Sequence, residues 1–186
     1  MCIRDRVGLA ISNGEKIAVF GDYDVDGITS TCLLTDFLRR QGADCVSYIP
    51  GRLEEGYGLN PIAIRQLHRE GVKLIITVDC GITATAEAEL CRQLGVDLVI
   101  TDHHECKEVL PHACAVVDPH RPDGGYPHKN LSGVGVAFKL AAALCGSQEE
   151  VLDEYADMVC LGTVADVMPL LGENRVFVTR GLAALQ

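Results

Sequence analysis

The 186-residue sequence is poor in three things: positive charge, long apolar runs and paired cysteines. Lys and Arg number 16 against 26 Asp and Glu, a net charge of −10, which argues against gripping nucleic acid through a broad basic face. It leaves open a local site where cations offset carboxylates. Apolar stretches such as residues 141–145 fall far short of the roughly 20 needed to cross a bilayer, so a membrane span is excluded. The opening MCIRDR places charges where a secretory signal would carry its apolar segment. A cytoplasmic location is expected. The nine cysteines include no C-x-x-C pair, which argues against a disulfide framework or a structural zinc site and for reduced core residues.

With 48% hydrophobic residues the chain can bury a core, and its length suits one domain or little more. Val- and Ile-rich runs recur at residues 16–20, 45–49, 73–78, 97–100 and 113–117. Their continuous apolar character fits strands covered on both faces. Between them, segments of helical period at 28–41, 61–70 and 84–94 stop at Gly42, Gly71 and Gly95, and Pro61 suits a first helical turn. The β-α-β-α-β-α-β order predicts an α/β fold with a mainly parallel sheet flanked by helices.

After Asp118 a Gly/Pro/His-rich loop leads to helical segments at 134–144 and 148–161 and a last one at 174–185. No stop signal follows Leu185, so the chain reads as a single catalytic domain cut in mid-helix. Residues 1–13 supply no clean opening element and read as irregular or foreign to the native sequence.

In a parallel sheet, ligands collect at the carboxyl ends of the strands. There the sequence places Asp22, Asp24 and Asp26 in GDYDVDG, Asp79 in TVDCG, and Asp102, His103, His104 and Glu105 in TDHHE. Strands about 4.8 Å apart bring three or four such ends within about 15 Å. Converging carboxylates repel one another unless cations sit among them, so divalent metal is expected. Mixed Asp and His donors suit manganese, with magnesium tolerated where oxygens dominate. The competing reading is that each aspartate caps the helix that follows. Capping needs one carboxylate per loop, whereas the first loop has three. An EF-hand is excluded because the glutamate expected six residues after the glycine is missing and an apolar helix follows. His68, His112, His120 and His128 are left as structural residues, as are Cys80 and Cys106.

GDYDVDGITST, TVDCGI, TDHHE and GTVADVMPL resemble the four ordered motifs of the DHH phosphoesterase superfamily. PGRLEEGYGLN, VVDPHRPD, LSGVGVAFKL and LGENR are similar to segments of its bacterial single-strand-specific exonuclease branch. The resemblance implies metal ligands at Asp24, Asp26, Asp79, His103 and Asp166, with Asp79 bridging two ions and Asp22 a sixth candidate. His104 corresponds to the residue that faces the scissile phosphate, and Arg52 and Tyr57 to the segment that meets a 5′ DNA end. Gly133 and Gly135 allow close backbone approach at a helix start; helix packing alone is the favoured reason, and amide N–H groups lent to phosphate are the alternative.

The implied activity is 5′ to 3′ hydrolysis of single-stranded DNA, as in repair and recombination, through activation of water by two divalent ions, Mn2+ preferred and Mg2+ possible. The resemblance also implies a second, closing domain downstream that supplies basic DNA contacts, so the chain alone is expected to be a poor processive nuclease. Alternatives are the pyrophosphatase, oligoribonuclease and cyclic-dinucleotide phosphodiesterase branches, and a non-catalytic scaffold that has lost metal ligands.

Overall fold

A computed structural model describes residues 3–51 and 58–186. Five strands, β1 (Lys16–Phe20), β2 (Cys45–Tyr48), β3 (Val72–Thr77), β4 (Asp97–Thr101) and β5 (Ala115–Val117), form one sheet in the order β2-β1-β3-β4-β5. Every pairing is parallel, from Ile17 opposite Cys45 at one edge to Ile100 opposite Val116 at the other. Helices α1 (Ile3–Ser12), α2 (Val25–Arg40), α3 (Pro61–Arg69), α4 (Thr85–Leu94), α5 (Gly133–Cys145), α6 (Gln148–Ala165) and α7 (Gly172–Ala184) cover it.

Alternation along each strand sorts side chains to the two faces. Ile17, Val19, Leu74, Ile76 and Val99 pack with Leu33, Leu34 and Leu38 of α2, Phe138 of α5 and Val159 of α6. Ala18, Phe20, Ile75, Leu98 and Ile100 face the other way, onto Ala63, Ile64 and Leu67 of α3 and Ala88 and Cys91 of α4. Both faces are dry, which is why the strands read as unbroken apolar runs. Among the described residues no helix is long and apolar enough to cross a membrane.

The opening segment corrects one expectation. Residues 3–12 are a regular helix whose Val7 and Ala10 are fully buried against the α2/α5 face. Arg6, 4% exposed, is held by Asp97 at 2.5 Å and Glu15 at 2.6 Å, so two carboxylates offset the cost of burying it. Another boundary differs where it matters for function. Helix α2 starts at Val25, three residues before the apolar stripe begins, because Asp24 caps it. The order β2-β1-β3-β4-β5 leaves the ends of β1, β3 and β4 side by side, and the loops that follow them share one rim.

Candidate metal centre

Asp24 has extended backbone and its Oδ1 accepts from Gly27 N at 2.8 Å, a regular N-cap. Capping and clustering therefore coexist, since Asp22, Asp24 and Asp79 also present carboxylate oxygens all within 4.8 Å of one another. Asp26, 2% exposed, lies in the first turn of α2, and its two oxygens accept from Gly133 N at 2.5 Å and Val134 N at 2.9 Å. These are the first free amides of α5, so the positive end of that helix faces the carboxylate. Burial nonetheless pushes Asp26 up to about 6. This accords with close packing, the favoured reason for the two glycines, and leaves their amides little to offer phosphate: Gly133 N is taken by Asp26, and Gly135 N by the Ser132 hydroxyl at 3.3 Å.

Asp79, two residues past β3, adopts left-handed backbone with φ 58°, uncommon for any residue but glycine and eased in Asp by its short polar side chain. Its carboxylate is packed beneath Gly133, where an added Cβ would stand 2.5 Å from Asp79 Cβ. Gly162 on α6 plays the same part for Asp26, with an added Cβ 2.6 Å from Asp26 Oδ1. Both glycines allow a helix to close onto an acid without a side chain between them. Burial, with the charges of Asp26 and Asp24, raises Asp79 to about 7 despite a hydrogen bond with His103.

His103 joins the loops. Its Nε2 lies 3.0 Å from Asp79 Oδ1, 3.6 Å from Asp166 Oδ2 and 3.8 Å from Asp26 Oδ2. Burial disfavours the charged ring, but Asp79, Asp26 and Asp166 outweigh it and raise His103 to about 9. Asp166 ends α6, and its backbone N–H is tied to Gly162 O at 2.9 Å, which brings its carboxylate back over the sheet. His104 sits at the edge of the cluster, its ring centroid 4.5 Å from that of His103; its Nδ1 meets Asp102 Oδ1 at 2.7 Å and its side chain is 48% exposed.

Asp102 itself is 1% exposed and accepts from Ile82 N at 2.8 Å and His103 N at 2.7 Å. Burial opposes its ionisation, but these bonds and His104 hold it below the ordinary aspartate range.

The predicted Asp22, Asp24, Asp26, Asp79, His103 and Asp166 thus meet in one cluster, with His104 on its edge. Three sets are close enough to share a cation: Asp22, Asp24 and Asp79; Asp26, His103 and Asp166; and Asp79, His103 and His104. Five carboxylates, three of them 2% exposed, gathered around one imidazole fit divalent cations by charge and donor type. A cleft of about 150 Å³ opens among Asp24, Val25, Asp26, Ala165 and Asp166. Arg52 and Tyr57 lie outside the described residues. Sequence reasoning missed the orienting role of Asp102 and the close approach at Gly162. The available signals were the acid preceding two histidines and a glycine four residues before Asp166.

Residues 16–163 match the family model for the DHH family, N-terminal domain. The chain is 50% identical over 182 residues to the single-stranded-DNA-specific exonuclease RecJ of Bacillus subtilis (strain 168), covering 98% of this chain and 23% of that protein. Its counterpart in Escherichia coli (strain K12) is 40% identical, over 95% of this chain and 33% of that protein. The chain therefore spans a quarter to a third of the length of these relatives. Among solved structures, exonuclease RecJ bound to manganese superposes with a TM-score of 0.86 at 41% identity, over 97% of this chain and 46% of that one. RecJ from Thermus thermophilus in complex with Mn2+ gives 0.82 at 38% identity, over 97% and 26%. A sheet of this order, with its acids and histidines at one rim, and a family match over most of its length place the chain in the DHH family.

Proposed function

We propose that this chain is the catalytic core of a metal-dependent phosphodiesterase that hydrolyses single-stranded DNA from its 5′ end, in the cytoplasm, as a nuclease of repair and recombination. The single observation that carries this reading is the 3.0 Å approach of Asp79 to His103, which joins two ligand sets into one continuous site. Asp22, Asp24 and Asp79 form one half, and Asp26, His103 and Asp166 the other, with Asp79 between them as the bridge. The manganese named for two structural relatives agrees with the Asp and His donors, and Mg2+ is the oxygen-preferring alternative.

Two divalent cations, when bound, supply a lowered water pKa and neutralise charge that builds on a phosphoester in the transition state. The chain's own residues do the rest. Asp26 is anchored by the amides of α5, and Asp79 is pressed against Gly133, so neither carboxylate is free to swing away. Such prior ordering removes reorganisation from the chemical step. His104 Nδ1 is bonded to Asp102, which raises the pKa of the ring, so the imidazolium form carries a proton on Nε2 as well and would donate it to a non-bridging phosphate oxygen.

Arg52 and Tyr57, by their place in the motif, are the groups for the 5′ end. A downstream domain closing over the strand completes the DNA contacts that an acidic chain of net charge −10 lacks.

The test is Mn2+-dependent release of nucleotides from 5′-phosphorylated single-stranded DNA, beside pyrophosphate and a cyclic dinucleotide. Preference for DNA supports the reading. Turnover of pyrophosphate or the cyclic dinucleotide alone refutes it.

A further inference from the structure

Asn174 lies in the first turn of α7 and is fully buried. An asparagine at a helix start ordinarily serves as the cap, but here the cap position is Leu171, which makes no side-chain bond, and Asn174 turns inward. Its Nδ2 donates to Asn130 O at 2.5 Å and to Pro169 O at 3.1 Å. The reverse orientation would set Oδ1 against two carbonyl oxygens, so both amide protons are committed. Oδ1 is buried with no partner, a cost that an apolar side chain would not carry. What the amide alone supplies is one nitrogen that holds two carbonyls.

Those carbonyls belong to the two segments that close the metal centre. Asn130 stands three residues before Gly133, whose amide holds Asp26, and Pro169 stands three residues after Asp166. The same segments meet again where Ser132 Oγ lies 3.1 Å from Thr163 Oγ1. Asp26 is anchored by two amides and Asp79 by its packing under Gly133. Asp166 has no such anchor: among the described residues its carboxylate accepts no hydrogen bond, lies 3.6 Å from His103 Nε2 and is 29% exposed. Its position follows from the turn that carries it. Asp166 N and Met168 N bond back to α6 at Gly162 O and Thr163 O, and Asn174 holds the far end of that turn at Pro169.

We infer that Asn174 is a positioning residue for the metal centre: by tying Pro169 to Asn130 it fixes the span between Asp166 and Asp26, and so the cation that those two share with His103. The inference rests on the metal-dependent phosphodiesterase reading and adds the contact that sets one of its two ligand groups.

The test titrates the whole chain with Mn2+ by calorimetry, with Asp166→Asn to identify the class of site that includes Asp166. Asn174→Ala removes both donors, and Asn174→Ser is the milder change should the alanine variant fold poorly. Phe177→Leu, on the same helix but packed against Phe138, is the control for lost stability. Each Asn174 variant is expected to bind manganese about tenfold more weakly, about 1.4 kcal/mol, at the class of site that Asp166→Asn weakens, and within about twofold of the unmodified chain at the other. For 5′-phosphorylated single-stranded DNA, the manganese concentration giving half the maximal rate should rise about as much, with kcat restored to within about threefold at saturating metal. Phe177→Leu should leave both classes of site unchanged.

Unchanged manganese affinity in both Asn174 variants overturns the inference. So does equal weakening at both classes of site, or weakening matched by Phe177→Leu, since either assigns Asn174 to general stability. Asn174-dependent manganese binding without DNA cleavage upholds the positioning role and removes the nuclease reading. Absence of manganese binding in the unmodified chain removes both.

Discussion

Asp102, buried, and His104, half exposed, form an acid–imidazole pair, with Oδ1 of the first 2.7 Å from Nδ1 of the second. The same Oδ1 accepts from the backbone N–H of His103 at 2.7 Å, so one carboxylate holds the His103 backbone and the His104 ring. Asp102→Asn keeps the shape but puts an amide where several donors converge. We expect kcat for Mn2+-dependent DNA hydrolysis to fall about 10- to 100-fold, the usual effect of losing such an orienting partner. Manganese stoichiometry, read by calorimetric titration, should remain. Equal kcat values would show that His104 needs no orientation.

Asp79→Asn tests the bridge. Asparagine tolerates the left-handed backbone at this position, so the fold should persist while the charge is lost. Titration should show weaker manganese binding and fewer ions per chain. Unchanged stoichiometry would remove Asp79 from between the two ligand sets.

Gly133→Ala tests the closeness of α5. The new methyl would stand 2.5 Å from Asp79 Cβ, closer than carbon atoms pack, so the helix or Asp79 must shift. Overpacking of this kind costs about 1–3 kcal/mol, measurable by urea denaturation, and should weaken manganese binding at the same time. A variant as stable as the unmodified chain would mean that the helix approaches less closely than 2.5 Å implies.

The cluster should also give metal-free protein an inverted acid response. Burial raises Asp26 to about 6 and Asp79 to about 7, and neighbouring carboxylates raise His103 to about 9 against its own burial. All three hold a proton more tightly folded than unfolded, so each contributes stability that is lost as pH rises. The loss runs from about pH 4 to 7 for the acids and from about 6.5 to 9 for the imidazole. After EDTA treatment the melting temperature should therefore fall between pH 4 and 9, and Mn2+ should flatten the slope. A melting temperature that climbs over this range without metal would contradict the buried cluster.

Much of the fold is legible in residue pattern. Residues 16–20 read as a strand and form one, and Gly95 stops α4 in left-handed backbone as its position predicts. The start of α2 was misplaced because Val25 is 48% exposed, so the apolar stripe carries no sign of the first turn; the aspartate cap does. The regular α1 was invisible for a related reason: Arg6 is buried by partners at Glu15 and Asp97, and the second is 91 residues away.

Asp24, Asp26, Asp79 and His103 follow strand ends, where a parallel sheet displays its ligands, and this much composition and order alone could locate. Asp166 at the end of a helix was reached only through family likeness. Its place 3.6 Å from His103 depends on how α6 crosses the sheet.

From sequence alone came the alternation of strands and helices, the acidic loops at the strand ends and the need for cations among them, because these follow from local periodicity and from the charge each loop must carry. Only tertiary structure decided which carboxylate answers to which partner. That Asp26 is held by the amides of α5 and that Asp79 lies under a glycine are consequences of helix packing between segments up to 108 residues apart. Packing at that distance leaves its trace in small residues and buried acids, whose neighbours no local pattern can name.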